Sequence, residues 1–190
     1  MIKDEMFSIP IFSTSLEQDN ESISSYCKLQ RKKYTQGNFI SNSGGWQSYS
    51  FQDIPEELAD LFSSIANFSE KVCESMGICP VKLSNGWINI NGYKDFNWTH
   101  SHADSILSGV YYVNTPEHCG NLIFEHPSIN SMEISLSPEK IDSFNKFNTI
   151  GWMKRAESGV LCIFPGWVNH KVTPNRNENE ERISISFNFV

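Results

Sequence analysis

The sequence contains few positive charges. Of its 190 residues, 15 are Lys or Arg and 22 are Asp or Glu, so its net charge is −7. This balance argues against nucleic-acid binding driven by charge, because phosphate recognition needs a concentrated positive surface. The densest basic run, LQRKKY at residues 29–34, indicates a solvated helix face.

The sequence also lacks a Cys-x-x-Cys pair and any apolar run long enough to span a membrane. Its five cysteines are odd in number and separate in the chain, which excludes a complete disulfide framework and disfavours a zinc–thiolate site. The opening MIKDEMFSIP has no apolar segment of the kind found in signal peptides. We therefore expect a cytoplasmic protein with reduced thiols and no membrane association.

One long segment, residues 55–76, has apolar residues at helical spacing. Leu58, Leu61 and Ile65 belong to this series, and polar residues fill the intervening positions. Pro55 suits a first helical turn and Gly77 suits a helix end. The segment is predicted to be an amphipathic helix that packs on a sheet.

From residue 81 onward the sequence is typical of β-strands. The segments VKLSNGWININGY, LSGVYYVN, NLIFEH, SGVLCIFP, NHKVTP and RISISFNFV are separated by turn residues. They predict a mainly β fold with a supporting helix and a double-stranded β-helix core, a jelly roll of the cupin-like kind. We expect a single domain over residues 1–190, with N-terminal support in residues 1–80 and the jelly-roll core in residues 81–190. The polar segment 127–151 is predicted to be an irregular insertion of a sort that often covers a site.

Two strands have one polar and one apolar face. In RISISFNFV, Arg182 and Ser184 lie on the polar face, whereas the Ile and Phe side chains lie on the other. In VKLSNGWININGY, Asn89 and Asn91 share a face with Trp87. These polar faces are predicted to line a cavity, where Asn89 and Asn91 could contact a co-substrate or substrate.

Two histidines and an aspartate occupy alternate positions in THSHAD, namely His100, His102 and Asp104. Alternate residues of a strand point to one face, so these side chains could converge, and the distant His170 could join them. Two imidazoles and one carboxylate leave open positions on Fe(II) for a co-substrate and dioxygen. His102, Asp104 and His170 form the preferred ligand set because the carboxylate lowers the net charge of the ion. His100 is the alternative ligand, or it contacts the site without binding the ion.

The chain resembles the Fe(II)- and 2-oxoglutarate-dependent oxygenases, and among them a group common in phage and marine bacterial genomes. The resemblance covers most of residues 41–190 through SNSGGWQSYSF, HSHADSILSGVYYVNTP, GNLIFEHP, GVLCIFPGWVNHKVTPN and RISISFN. It implies a His-x-Asp pair at His102 and Asp104 and a distal ligand at His170. The phage-type pattern has His-x-His before Ser-Gly-x-Tyr-Tyr, which His100 and His102 match.

The resemblance also implies the co-substrate site. An Arg-x-Ser pair, matched by Arg182 and Ser184, would hold the carboxylate of 2-oxoglutarate (2OG), and Tyr112 would bind the same carboxylate. The implied activity is a dioxygenase that uses Fe(II), 2OG and dioxygen to hydroxylate an unidentified substrate, with no catalytic residue beyond the metal ligands. The alternative is a non-catalytic or other-metal jelly-roll binding protein, associated with carbohydrate or virions. Exposed edge strands would allow a homodimer.

Overall fold

The computed structural model describes residues 6–190, which form two antiparallel β-sheets and three α-helices. The strands are β1 (Phe12–Ser15), β2 (Asn42–Ser43), β3 (Trp46–Gln47), β4 (Leu83–Asn91), β5 (Phe96–His100), β6 (Leu107–Asn114), β7 (Leu122–Glu125), β8 (Gly151–Lys154), β9 (Val160–Pro165), β10 (His170–Val172) and β11 (Arg182–Phe189). The helices are α1 (Asn20–Lys33), α2 (Ala59–Met76) and α3 (Ile129–Ser135), with 3-10 turns at Glu56–Leu58 and Pro138–Lys140.

The two sheets make up the predicted jelly roll. The larger sheet has the strand order β1-β9-β6-β11-β4-β3, and the smaller has the order β2-β5-β10-β7-β8. Several neighbouring strands are distant in sequence, as in β11 between β4 and β6. The prediction of a mainly β fold with a supporting helix is confirmed. The strands β1, β2 and β3 show that the first eighty residues also add to both sheets.

The predicted amphipathic helix is present. A 3-10 turn at Glu56–Leu58 leads into α2, which ends at Gly77 with a φ of 66°. This left-handed φ suits glycine because a Cβ would be strained there. The apolar stripe of α2 packs on the outer face of the larger sheet, where the rings of Phe62 and Phe187 lie 6.1 Å apart edge to face. The apolar face of β11 therefore turns toward the helices, and its polar face turns toward the other sheet.

Ile185 tests the contribution of this packing to stability. Its side chain is fully buried in the core between the larger sheet and the helices. We expect Ile185→Ala to lower the free energy of unfolding by about 2–5 kcal/mol, because it removes buried methyl groups and leaves a cavity. Urea unfolding of the apo protein measures this loss. The exposed Ile134 is the matched control, and Ile134→Ala should change the same quantity by less than about 0.5 kcal/mol. Equal effects of the two substitutions would show that Ile185 is not a core residue.

The predicted strand through THSHAD is shorter than expected. β5 ends at His100, and residues 101–105 turn away from the sheet. The His102 amide donates to the carbonyl of Gly166 at 2.8 Å, and the Ser105 amide donates back to the carbonyl of His102 at 3.0 Å. The prediction that a strand carries Asp104 on the same face as His102 is therefore wrong. The alternation argument fails because the turn sets the direction of these side chains.

The segment 127–151 is also more regular than predicted. It contains the short helix α3 and the 3-10 turn Pro138–Lys140. The division into N-terminal support (residues 1–80) and core (residues 81–190) stays a prediction, and residues 1–5 lie outside the described part. Within residues 6–190 no helix is both long enough and apolar enough to cross a bilayer. All five cysteines are free thiols, as expected.

Candidate metal and co-substrate site

Three histidines converge between the two sheets. His100 ends β5 and His170 begins β10, and the two residues are direct partners in the antiparallel register. Their ring centroids lie 4.4 Å apart, and the His102 ring lies 5.2 Å from each of them. One ligand atom from each residue falls within 4.8 Å of the others. A single metal ion can bind three nitrogens at this spacing.

A β-bulge brings His100 into this group. His170 pairs with His100 and Val172 pairs with Asn97, so Lys171 alone opposes the two residues Trp98 and Thr99. In a regular strand Asn97 and His100 would point to opposite faces, because they are three positions apart. The extra residue shifts the alternation, and both side chains line the cavity.

Polar contacts on the outer face of the smaller sheet hold the bulge. Glu125 accepts a hydrogen bond from the Thr99 hydroxyl at 2.9 Å. It also forms an ion pair with Lys171, whose Nζ lies 2.9 Å from the carboxylate. The Lys171 contact is the largest cause of the lowered pKa of Glu125. Thr99 and Lys171 directly neighbour His100 and His170 in sequence. The Glu125 contacts therefore join the strands that carry these two histidines.

Backbone carbonyls orient two of the imidazoles. His100 Nδ1 lies 2.7 Å from the Trp98 carbonyl oxygen, and His170 Nδ1 lies 2.9 Å from that of Val168. A carbonyl oxygen can only accept, so we assign the hydrogen of each ring to Nδ1. The Nε2 lone pairs then remain available to a metal, an arrangement typical of histidine ligands.

The environment keeps the histidines neutral near pH 7. Burial lowers the pKa of His100, and burial followed by the influence of His100 lowers the pKa of His102 to about 4. The same two causes, in the same order, lower the pKa of His170 to about 3. Since only the neutral imidazole binds a metal, the three side chains are in their ligand form.

Asp104 lies apart from the three histidines. It is exposed on the turn of residues 101–105, and the group of converging ligand atoms comprises His100, His102 and His170. The carboxylate of the preferred ligand set is thus outside this group, whereas the alternative residue His100 lies inside it.

The other predicted site residues line one cavity beside the histidines. In the register of the larger sheet, Ser184 stands between Asn89 on β4 and Tyr112 on β6, and Arg182 pairs with Asn91. All five residues line the cavity together with His100, His102 and His170. The prediction that the polar faces of β4 and β11 turn inward is confirmed.

Arg182 is a buried cation with an unused donor. Its relative exposure is 1%. Its Nη1 donates to the Cys119 carbonyl at 2.5 Å and to the Thr173 carbonyl at 3.4 Å, whereas Nη2 is buried without a hydrogen-bond partner among residues 6–190. Burial lowers the pKa of Arg182, and burial also raises the pKa of the adjacent Tyr112 despite the opposing effect of Arg182. A buried guanidinium with an unfilled donor fits an anionic ligand, because leaving both the charge and the N–H unpaired is costly.

Several cavity residues could not have been identified from the sequence. Asn97 depends on the bulge, and Ser41 lies in a short polar segment without a readable pattern. The apolar walls include Phe164, whose ring lies 4.8 Å from that of His170. None of the described lining residues comes from the segment 127–151, so that insertion does not wall this cavity.

The fold resembles those of solved structures at low sequence identity. A prolyl-4-hydroxylase from Pseudomonas putida shares 13% identity at a TM-score of 0.65, covering 96% of this chain and 92% of that chain. The viral collagen prolyl hydroxylase vCPH from Paramecium Bursaria Chlorella virus-1, solved as a 2OG complex, shares 12% sequence identity at a TM-score of 0.59. The match covers 94% of each chain. SnoK, a non-heme alpha ketoglutarate dependent carbocyclase from nogalamycin biosynthesis, shares 10% sequence identity at a TM-score of 0.66. The match covers 95% of this chain and 79% of that chain. At such identities the similarity is one of fold.

The sequence itself identifies the family. No curated protein matches the chain. Residues 85–188, more than half of the chain, match the family model described as 2OG-Fe(II) oxygenase. The matched region contains the three converging histidines and the buried Arg182. The chain therefore belongs to the 2OG-Fe(II) oxygenase family.

Proposed function

We propose that His100, His102 and His170 bind one Fe(II) ion and that Arg182 binds the distal carboxylate of 2OG, so that the chain hydroxylates a substrate not yet identified. As a member of its family, the chain is an oxygenase that uses Fe(II), 2OG and dioxygen. The observation that carries the ligand set is the convergence of three imidazoles within 4.8 Å.

His100 replaces Asp104 in this proposal for two reasons. Asp104 is exposed on a turn outside the group of ligand atoms. His100, in contrast, is aligned opposite His170 and donates its Nδ1 hydrogen to a backbone carbonyl. A ligand set of three neutral imidazoles leaves the full charge of Fe(II) to be balanced by the anionic 2OG.

The alternate residues of β11 lead from Arg182 toward the histidines. Ser184 and Ser186 follow Arg182 on the same face, at about 6.6 Å per step along the strand. Ser186 pairs with Trp87, whose ring centroid lies 5.7 Å from that of His102. A five-carbon diacid with one end at the metal would therefore extend along this row toward Arg182.

Each group along this row has a role in binding. The free Nη2 of Arg182 would donate to the distal carboxylate of 2OG. Ser184, the next residue on the same face of β11, and its register partner Tyr112 on β6 have hydroxyls that can donate to the same carboxylate. Asn89 donates to Ser186 at 3.0 Å, which leaves its amide oxygen for a ligand donor, and Asn91 lies beside Arg182.

The chemistry divides between the bound groups and the protein. Bound Fe(II) supplies the dioxygen chemistry that decarboxylates 2OG to succinate and hydroxylates a C–H bond of the substrate. The chain positions the reactants and excludes water through the apolar side chains of Val110, Leu122 and Phe164.

Three finer assignments belong to the same proposal. The motifs HSHADSILSGVYYVNTP and GVLCIFPGWVNHKVTPN support membership of the group common in phage and marine bacteria. Five free thiols support a reducing, cytoplasmic location. The edge strands of the two sheets would allow a homodimer to form by strand pairing.

Incubation of the purified chain with Fe(II), 2OG and air tests the activity. We expect succinate to form, because the proposed activity decarboxylates 2OG, and we expect a chelator that removes Fe(II) to stop it. Under argon, the same additions should produce a weak visible charge-transfer band. The alternative of a carbohydrate- or virion-associated binding protein predicts neither succinate nor the band, so absence of both would contradict the proposed activity.

A further inference from the structure

We propose that the turn of residues 116–121, called here the Cys119 turn, orients Arg182 and thereby makes the site selective for 2-oxo acids that carry a second carboxylate. The inference rests on the proposed function, since it concerns recognition of 2OG by Arg182. It assigns a positioning role to a turn that lies outside the metal ligands and the cavity lining.

The Cys119 turn holds Arg182 without neutralising it. The carbonyls of Cys119 and Thr173 both accept from Nη1, at 2.5 Å and 3.4 Å. Neither acceptor carries a charge, and in the described part of the chain Nη2 is left without a hydrogen-bond partner. A carboxylate in the place of these carbonyls would also orient the guanidinium, but it would compete with an incoming anion. The turn therefore fixes the direction of the side chain and leaves its charge for the ligand.

Gly120 permits this close approach. Its φ is 87°, and a Cβ at this position would lie 2.2 Å from the Thr173 carbonyl oxygen and 2.9 Å from Arg182 Nη1. A side chain there would therefore displace the two groups whose contact orients the guanidinium. Only glycine satisfies both the backbone conformation and the missing space.

The turn is tied to the chain that follows β10. The Asn121 amide donates to the Thr173 hydroxyl at 2.8 Å, and the Thr173 amide donates to the Asn121 carbonyl at 2.9 Å. These bonds keep the carbonyls of Cys119 and Thr173 on the same side of Arg182. The Thr173 hydroxyl can thus be removed to loosen the turn while both carbonyl acceptors remain.

The test compares two co-substrates on the full chain loaded with Fe(II) under argon. 2OG and 2-oxopentanoate share the 2-oxo acid end, but 2-oxopentanoate has a methyl group in place of the distal carboxylate. Calorimetric titration gives both dissociation constants. The selectivity ratio is the dissociation constant for 2-oxopentanoate divided by that for 2OG. We expect Gly120→Ala to weaken 2OG binding about tenfold or more and to change 2-oxopentanoate binding by less than about twofold. A loss of general integrity would weaken both acids alike and leave the ratio unchanged.

Gly77→Ala is the matched control. Gly77 has a similar φ of 66°, but a Cβ there would meet no atom of the described residues within 4 Å. We expect this substitution to strain the backbone without changing the ratio. If Gly120→Ala does not fold, Thr173→Val decides the question, with an expected fall in the ratio of about threefold. An unchanged ratio in Gly120→Ala, or in Thr173→Val where that variant decides, would overturn the role of the turn. Absence of a preference for 2OG in the parent protein would instead overturn the proposed function.

Discussion

Arg182→Ala is expected to raise the dissociation constant for 2OG by roughly two to four orders of magnitude and to leave Fe(II) affinity nearly unchanged. Arg182 is the buried cation of the cavity, and its Nη2 has no partner within the described chain. Loss of one member of a buried, hydrogen-bonded charge pair costs about 3–5 kcal/mol, because the remaining charge stays buried without compensation. Here the remaining charge is the distal carboxylate of 2OG.

Conservative and surface substitutions separate this role from a general effect of charge. Arg182→Lys should recover only part of the affinity, because the compact ammonium cannot reproduce the planar fork of donors that the guanidinium offers. Arg155 is exposed, and Arg155→Ala should bind 2OG as the parent protein does. Titration of 2OG under argon, followed by the visible band, measures each constant. Parent-like affinity in Arg182→Ala would mean that Arg182 only supports the fold.

Strand alternation explains why much of the site could be predicted from the sequence. Side chains repeat every two residues in a strand, so Arg182 and Ser184 had to share a face opposite the apolar residues of β11. The same reasoning placed Asn89 and Asn91 on one face of β4. Burial of the apolar faces under α2 then required the polar faces to meet between the sheets.

The metal ligands show where this reasoning ends. A bulge opposite Lys171 reverses the alternation in β5, and a turn begins at once after His100. Neither event has a clear signal in THSHAD, so a regular strand appeared to bring Asp104 beside His102. The contacts that hold this geometry, such as that between the His102 amide and Gly166, join residues far apart in the chain. Local periodicity cannot report such contacts.

His100→Ala is expected to weaken Fe(II) binding by at least about a hundredfold, and Asp104→Ala by less than about threefold. Loss of a group that only supports a ligand already costs roughly 10–100-fold in metal affinity, so loss of a ligand should cost at least as much. Asp104 is exposed, and substitutions at such positions usually change free energies by no more than about 0.5 kcal/mol. His170→Ala provides the reference for loss of a ligand, because His170 belongs to both candidate ligand sets.

The most direct test of the three-histidine site is equilibrium dialysis of Fe(II) under argon against the parent protein, His100→Ala, Asp104→Ala and His170→Ala, with iron quantified on both sides of the membrane. Circular dichroism establishes that each variant is folded before dialysis. We predict that the parent protein and Asp104→Ala retain one Fe(II) per chain with similar affinity, and that His100→Ala and His170→Ala lose it together. Retention of iron by His100→Ala with its loss from Asp104→Ala would contradict the three-histidine site and restore His102, Asp104 and His170 as the ligands.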